Sequence, residues 1–157
     1  MKKKIIMLIL LVSSYTCLSQ VDSTYYYKSK EILDKYPKSR IKPEFLYKSA
    51  LIVYKELGIL VPYRFAIAQC ILETSLGTSG VGRRKNNPYS INSRKGYKSY
   101  KNIEEGILDY YFYISKNYLK CKTVEQLFKN FTNCKGKRYA TERGYEHRFK
   151  KEYSNLK

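Results

Sequence analysis

The stretch PYRFAIAQCILETSLG, residues 62–77, predicts a buried helix that ends beside a single carboxylate. Its middle, FAIAQCIL, is apolar on nearly every face, which is typical of a helix enclosed by its neighbours rather than one lying on the surface. Pro62 suits the first turn of this helix, and Gly77 suits its C-terminal stop. Glu73 therefore falls in the last turn, where the surroundings are partly desolvated and the helix dipole is negative.

This position predicts that Glu73 carries a carboxyl group with a raised pKa. Desolvation and the negative end of a helix dipole both disfavour the charged form. A carboxyl group that keeps its proton near neutral pH can act as a general acid. The helical pattern alone allows a second interpretation, in which Glu73 only marks the point where the helix emerges into solvent.

The segments around this helix predict further helices. Apolar residues at spacings of four, three and four predict an amphipathic helix over residues 43–57. The sequences NIEE at 102–105 and TVEQ at 123–126 have the capping-box pattern, so a helix is expected to start at each. The first of these runs to about residue 119 with its tyrosines facing the core, and a last helix covers about 143–153.

The region between Thr74 and Ile103 has a different composition. It contains no acidic residue, several lysines and arginines, and five glycine or proline residues. This composition predicts irregular or short-strand structure.

Three short motifs follow one another along the chain, and a tyrosine follows the last of them. Their residues are Ala68, Gln69, Glu73, Thr74 and Gly77, then Asn86, Asn87, Tyr89 and Ile91, then Tyr139, Ala140 and Thr141, with Tyr145 beyond. In this order they resemble the glucosaminidase branch of the lysozyme-like superfamily, glycoside hydrolase family 73, whose members are peptidoglycan-cleaving relatives of the flagellar muramidase domain. The resemblance extends from about Pro43 to Tyr153.

The resemblance implies a mainly α-helical, lysozyme-like domain with a small irregular or short-strand lobe beside the cleft. The domain covers 43–157, after a signal peptide at 1–19 and a tyrosine-rich N-terminal arm or weak helix at 20–42. The implied activity is that of an endo-β-N-acetylglucosaminidase acting on the glycan strands of peptidoglycan. Glu73 would be the general acid and Tyr139 would orient or stabilise the developing charge. The expected substrate-binding residues are Asn87, Tyr89, Tyr100 and Tyr145.

Relatives often place a second carboxylate in the lobe, and this chain offers none there. The common retaining and inverting mechanisms need two carboxyl groups. With Glu73 alone, hydrolysis requires the N-acetyl group of the substrate to attack the anomeric carbon. Two alternatives stay open: a lytic transglycosylase or muramidase, and a catalytically inactive, basic wall-binding module. Departures from the family pattern at Leu76, Pro88 and Ser90 favour the inactive module.

The N-terminal residues 1–19 carry three lysines, the apolar run IIMLILLV and then small or polar residues. This pattern is typical of a secretory signal and predicts a periplasmic or secreted product. Lipidation at Cys17 is the alternative to cleavage after Ser19. In an oxidising compartment Cys121 and Cys134 could bridge a short loop, worth about 3 kcal/mol in the chain-entropy model.

The remaining composition limits the other classes of site and partner. Cys70 and the single histidine, His147, belong to no nucleophile motif or zinc spacing, so neither a metal nor a cofactor is expected. The formal net charge of +18 indicates an anionic partner. Export makes nucleic acid an unexpected partner, and favours peptide-stem carboxylates, anionic wall polymers or a membrane surface. The alternative is a merely soluble surface, and a monomer is assumed.

Overall fold

The computed structural model describes residues 21–157, which form seven α-helices, one π-helical segment and a two-stranded antiparallel sheet. The predicted fold class, mainly α with a small lobe, is confirmed. The signal segment 1–19 and Cys17 lie outside the described residues, so export and lipidation stay predictions. None of the described helices is both long and apolar enough to cross a membrane. The elements are α1 (Ser23–Leu33), α2 (Pro43–Leu57), α3 (Tyr63–Thr74), α4 (Gly80–Lys85), β1 (Asn92–Ser93), β2 (Gly96–Tyr97), α5 (Ile103–Ile114), the π-helix (Ser115–Leu119), α6 (Val124–Lys129) and α7 (Tyr145–Asn155).

Helix α3 is the buried centre of the domain, as its sequence predicts. Every residue from Phe65 to Cys70 has no more than a trace of exposed surface, and α7 packs along the helix. Burial on all faces is possible because α1, α2, α4 and α7 each contact α3 from a different part of the chain. An all-round apolar helix is stabilised by such enclosure, since no face would be favourable in water.

The end of α3 differs from the prediction that Gly77 is its stop. The helix ends at Thr74, and Ser75 is the C-cap in the left-handed conformation, with φ of 49°. Leu76 and Gly77 continue in the same region, with φ of 59° and 79°. Leu76 accepts this backbone because its side chain is buried in the core. Gly77 suits this positive φ, and an added Cβ would also lie 2.7 Å from Ile103 Cδ1, which would have to shift.

The segment predicted as an N-terminal arm or weak helix is the helix α1, capped by Asp22, and it packs on α2. Tyr25 anchors it, because its hydroxyl lies 3.0 Å from the carbonyl oxygen of Val61 and 2.8 Å from the hydroxyl of Tyr111. Ile32 and Leu33 are also buried. The segment is therefore part of the core rather than an extended arm.

The lobe between α3 and α5 contains the short helix α4 and the two-residue strands β1 and β2. Arg40 ties it to the rest of the chain by donating to the carbonyl oxygen of Gly82 at 2.9 Å and to Asn86 Oδ1 at 2.8 Å. The strands agree with the sequence-based prediction. Helix α4 was missed because its sequence, GVGRRK, has no apolar periodicity to reveal a helix.

The predicted helix from 103 to 119 is confirmed, although its last turn is the π-helix. Both N-terminal caps of the C-terminal half are present, at Asn102 and Thr123. A disulfide joins Cys121 to Cys134 around α6. Beyond it lies an aromatic cluster that packs α7 against α3. The cluster consists of Phe65, Phe131, Tyr139, Tyr145 and Phe149.

Candidate active site

Glu73 lies at the C-terminal end of α3, where its side chain is partly buried. The hydroxyl of Tyr145 donates to its Oε1 at 2.8 Å. Burial raises the pKa of Glu73 above its ordinary value, and hydrogen bonds from Tyr145 and Ser90 reduce that rise. The raised pKa confirms the prediction from the sequence. The carboxyl group is therefore disposed to hold a proton at a higher pH than a solvated glutamate does.

A line of hydrogen bonds connects this carboxyl group to the core. Tyr110 donates its hydroxyl proton to Gln69 Oε1, and Gln69 Nε2 donates to the hydroxyl oxygen of Tyr145 at 3.2 Å. Tyr145 in turn donates to Glu73. Because Gln69 and Tyr110 are fully buried, the orientation of Tyr145 is fixed from behind. We call Tyr110, Gln69 and Tyr145 the positioning network.

Tyr139, predicted to act beside Glu73, lies next to Tyr145 but is bonded elsewhere. Its ring stacks on Phe131 with the centroids 4.8 Å apart, and its hydroxyl donates to the carbonyl oxygen of Tyr89 at 3.0 Å. The tyrosine whose hydroxyl donates to the Glu73 carboxyl group is Tyr145, which was predicted from the sequence to bind substrate. Tyr139 is close enough to Glu73 to interact with it electrostatically, without a hydrogen bond to it.

Two residues that were predicted to bind substrate, Asn87 and Tyr89, are fully buried instead. The Asn87 amide nitrogen donates to the carbonyl oxygens of Ile91 at 2.9 Å and Lys98 at 3.0 Å, and its oxygen accepts from the Ile91 backbone at 2.9 Å. The ring of Tyr89 stacks on Tyr110 with the centroids 3.5 Å apart. Neither side chain offers surface to a ligand in this structure, because its polar or flat face is already occupied. They support the lobe and the site from within.

Tyr100, the remaining predicted cleft residue, ties the lobe to α5. Its hydroxyl donates to Asp109 Oδ2 at 2.6 Å, and Lys98 Nζ contacts the same oxygen at 2.8 Å. The ring is partly exposed. Its hydroxyl is thus used in holding the lobe on the helix, and it is not one of the groups around Glu73.

Ser90 is a site residue whose role the sequence did not reveal. Its φ of 53° lies in the left-handed region, which disfavours residues other than glycine and asparagine. Its hydroxyl is close enough to Glu73 to lower the pKa of that carboxyl group. From the sequence, Ser90 was only a departure from the family pattern. That departure was the one signal that marked this position.

A second carboxylate also interacts with Glu73, although it is not in the lobe. Glu142 follows Thr141 in the motif near the C-terminus, is exposed, and forms an ion pair with Arg148 of α7 at 2.5 Å. The negative charge of Glu142 adds to the rise in the pKa of Glu73 that burial causes, while Arg148 opposes that rise. Glu142 was not predicted from the sequence, because the family pattern places a second carboxylate in the lobe and Glu142 lies near the C-terminus.

The other candidate chemistries gain no support from the geometry. Cys70 is buried and its thiol lies 3.5 Å from the carbonyl oxygen of Pro88. Burial raises the pKa of this thiol, which disfavours the nucleophilic thiolate. Over residues 21–157, no group of three or more His, Cys, Asp and Glu side chains is placed to hold a metal ion.

Comparison with known proteins adds one finding to this geometry. The family model described as Glucosaminidase: Mannosyl-glycoprotein endo-beta-N-acetylglucosaminidase matches residues 47–157. The matched region includes Glu73, the positioning network, the lobe and the disulfide, and it excludes α1. A comparison with curated proteins gave no match to this chain.

Proposed function

The chain belongs to the glucosaminidase family of glycoside hydrolases, and we propose that it hydrolyses the glycan strands of peptidoglycan after N-acetylglucosamine, with Glu73 as the general acid. The observation that carries this proposal is the carboxyl group of Glu73, raised in pKa by burial and fixed by Tyr145. A general acid needs both a retained proton and a defined direction in which to deliver it. The positioning network supplies the second requirement.

In the proposed mechanism, Glu73 donates its proton to the glycosidic oxygen as the bond from that oxygen to the anomeric carbon breaks. The carbonyl oxygen of the substrate's own N-acetyl group forms a bond to the anomeric carbon, which gives a cyclic intermediate. Water then adds to the anomeric carbon and opens that ring, and the Glu73 carboxylate takes the proton from the water. This scheme uses a single protein carboxyl group, whereas the common mechanisms use two.

Glu142 supports a second candidate mechanism in which a protein carboxylate activates the attacking water. The supporting observation is its electrostatic interaction with Glu73. Its ion pair with Arg148 favours the substrate-assisted scheme instead, because a carboxylate whose oxygen already contacts Arg148 is not free to hold the attacking water. Glu142→Gln distinguishes the two mechanisms. A loss of activity of about tenfold or less fits the substrate-assisted scheme, and a loss of about a thousandfold fits Glu142 as the base that activates water.

The proposal is tested by digesting purified peptidoglycan sacculi with the parent protein and with Glu73→Gln. We expect soluble products with N-acetylglucosamine at their reducing ends, and a loss of activity of about a hundredfold to ten-thousandfold in the variant. Mass spectrometry of the products decides the bond. Anhydro-muramic ends would show a lytic transglycosylase, and binding without degradation by either protein would show an inactive wall-binding module.

The stability of Glu73→Gln separates a catalytic from a structural loss. Since the folded-state pKa of Glu73 is raised, protonation of this group stabilises the fold at low pH, and that contribution is lost as the pH rises through the raised value. The neutral amide should therefore unfold at the same denaturant concentration as the parent or a higher one near neutral pH. A clear loss of stability would contradict the assigned desolvation.

We also propose that residues 1–19 direct export to the periplasm or the outside, and that the basic surface binds anionic wall polymers or a membrane surface after export. The sequence of 1–19 supports the first part. Mass spectrometry of the mature N-terminus tests it: cleavage after Ser19 is expected. A chain that keeps Met1 would contradict export, and a lipid on Cys17 would show anchoring.

A further inference from the structure

A groove is formed by residues of α1 and α2, away from the groups that contact Glu73. Its volume is about 540 Å³, and we call it the tyrosine groove. It is lined by Ser23, Tyr26, Tyr27, Glu44, Tyr47 and Lys48. None of these residues is among the partners of Glu73 or part of the positioning network.

One aromatic side chain of the groove is more exposed than the packing of α1 requires. Tyr27 is 65% exposed and is one of two large apolar side chains in the described part of the chain that are exposed, the other being Tyr97. Tyr25, on the buried face, already anchors the helix. Tyr26 and Tyr47 are half-buried beside Tyr27, so the exposed ring belongs to a larger aromatic patch, and such patches mark binding surfaces more often than isolated rings do.

The three rings are held in a fixed arrangement. Tyr26 contacts Tyr27 edge to face, with centroids 5.4 Å apart at 79°, and it contacts Tyr47 in the same way at 6.4 Å and 80°. Tyr47 also contacts the buried Tyr25 at 6.4 Å. Because the cluster is supported from the core, Tyr27 is presented to solvent without collapse of the groove.

We infer that the tyrosine groove is a second, non-catalytic site for the N-acetylhexosamine units of a glycan strand, an inference that rests on the proposed peptidoglycan substrate. A sugar ring has apolar C–H faces that can lie on tyrosine rings and polar groups along its edge. Ser23 and Glu44 line the same groove and offer a hydroxyl and a carboxylate to those polar groups. The groove volume falls within the range of about 300–1,000 Å³ found for small-molecule sites.

The charges beside the groove fit a neutral sugar unit. Lys48 Nζ lies 2.5 Å from Glu104 of α5, so its ammonium charge is already paired at the groove wall. Glu44 adds a negative charge to the same lining. The site is therefore expected to bind the uncharged N-acetylhexosamine rings through ring contacts and hydrogen bonds rather than through the carboxylates of the strand.

A second site on the protein that binds the same glycan strand, or a neighbouring strand, increases the time that the enzyme spends at an insoluble polymer. The first contact makes the second one effectively intramolecular, so avidity rises without any change at Glu73. Helix α1 lies outside the matched family region, which begins at residue 47. The matched region includes Tyr47 and Lys48 of the groove, whereas the groove residues of α1 and Glu44 lie outside it.

The test uses the Glu73→Gln protein, so that binding to intact sacculi is measured without degradation. Binding isotherms are recorded at 0.5 M NaCl, where attraction by the basic surface is largely screened. Adding Tyr27→Ala should weaken binding by about threefold to tenfold, since one aromatic contact is lost. Adding Lys30→Gln, at another exposed position of α1, should leave binding unchanged, and Tyr27→Phe should retain most of it.

Equal binding by the Tyr27→Ala and Lys30→Gln proteins would overturn the inference, as would a loss with Tyr27→Phe as large as that with Tyr27→Ala. In the active protein, Tyr27→Ala should slow the release of soluble fragments from sacculi. It should leave the hydrolysis of a short soluble oligosaccharide unchanged. The binding comparison in the Glu73→Gln protein is independent of the proposed activity. If the parent protein degrades nothing, the proposed function fails while the binding comparison still decides the groove.

Discussion

The two sides of Glu73 use their motif residues in different ways. On the C-terminal side, Tyr145 directs its hydroxyl to the carboxyl group from within the aromatic cluster. On the lobe side, Asn87 and Tyr89 face inward, and their polar or flat surfaces are taken by the lobe itself and by Tyr110. The difference teaches that a residue in a catalytic-family motif can be required for the scaffold. Burial distinguishes the two roles, since a fully enclosed side chain cannot meet a substrate.

The lobe still supplies one group that acts on Glu73. Ser90 lies three residues after Asn87, whose side chain holds the turn by bonding the backbone of Ile91. That turn gives Ser90 its left-handed backbone and places its hydroxyl by Glu73. The buried amide thus acts on the site through the turn. Substitutions on the two sides of Glu73 should accordingly change stability on one side and activity on the other.

The largest expected effect is on stability and comes from the lobe side. Asn87→Ala removes three hydrogen bonds, two of them buried, and should lower the free energy of unfolding by about 2–4 kcal/mol, because backbone groups of Ile91 and Lys98 lose their partners. Chemical denaturation measures the loss. Asn92→Ala, at an exposed position of β1, is the control and should be near neutral. A stable Asn87→Ala protein with weakened substrate binding would show that Asn87 contacts substrate, as the sequence predicted.

The C-terminal side should respond in catalysis. Tyr145→Phe keeps the ring in the cluster and removes the hydrogen bond to Glu73, so kcat/KM should fall by about tenfold. That bond lowers the pKa of Glu73, so its loss raises the pKa further. Because the protonated form is the active one, the alkaline limb of the pH–rate profile should move to higher pH.

Tyr139→Phe is the matched control for that experiment. It removes a hydroxyl that donates to the Tyr89 backbone, not to Glu73, so the alkaline limb should stay in place. If Tyr139→Phe reduces kcat as strongly as Tyr145→Phe, the catalytic role predicted for Tyr139 from the sequence is correct, and the distinction between these two tyrosines fails.

A smaller effect is expected where the lobe meets α5. Tyr100→Phe removes the hydrogen bond to Asp109 and should reduce stability by about 1 kcal/mol while leaving kcat unchanged. Tyr97→Phe, on the exposed strand β2, should change neither quantity. An unchanged stability together with a raised KM in Tyr100→Phe would place Tyr100 in the substrate cleft instead.

The smallest expected effect is at Ser90. Ser90→Ala and Ser90→Gly both remove the hydroxyl that lowers the pKa of Glu73, so each should move the alkaline limb to higher pH, less than Tyr145→Phe does. Ser90→Gly should be more stable than Ser90→Ala by about 1 kcal/mol, because glycine accepts a φ of 53° without strain. If the alkaline limb of the pH–rate profile stays in place in both variants, Ser90 does not act on Glu73.

Local patterns were sufficient for most of the helices and for the direction of the pKa shift of Glu73. The buried run in α3, the stripe in α2 and the caps of α5 and α6 each involve residues within a few positions of one another. An acid at the end of an apolar helix is desolvated wherever that helix is packed, which is why the pKa direction could be predicted. Helix α4 was not predicted because its sequence has no apolar periodicity. The C-cap at Ser75 was not predicted because the left-handed cap position is usually occupied by glycine.

The sequence by itself determined a helical domain, its family and the acid at its centre, because these depend on periodicity, capping and the order of motifs. Only the tertiary structure decided which tyrosine meets Glu73. Tyr139 and Tyr145 have similar environments in the sequence, yet one hydroxyl bonds Tyr89 and the other bonds Glu73. Such a choice depends on how α7 packs against α3, where contacts join residues more than seventy positions apart. No local pattern encodes the direction of a side chain across that distance.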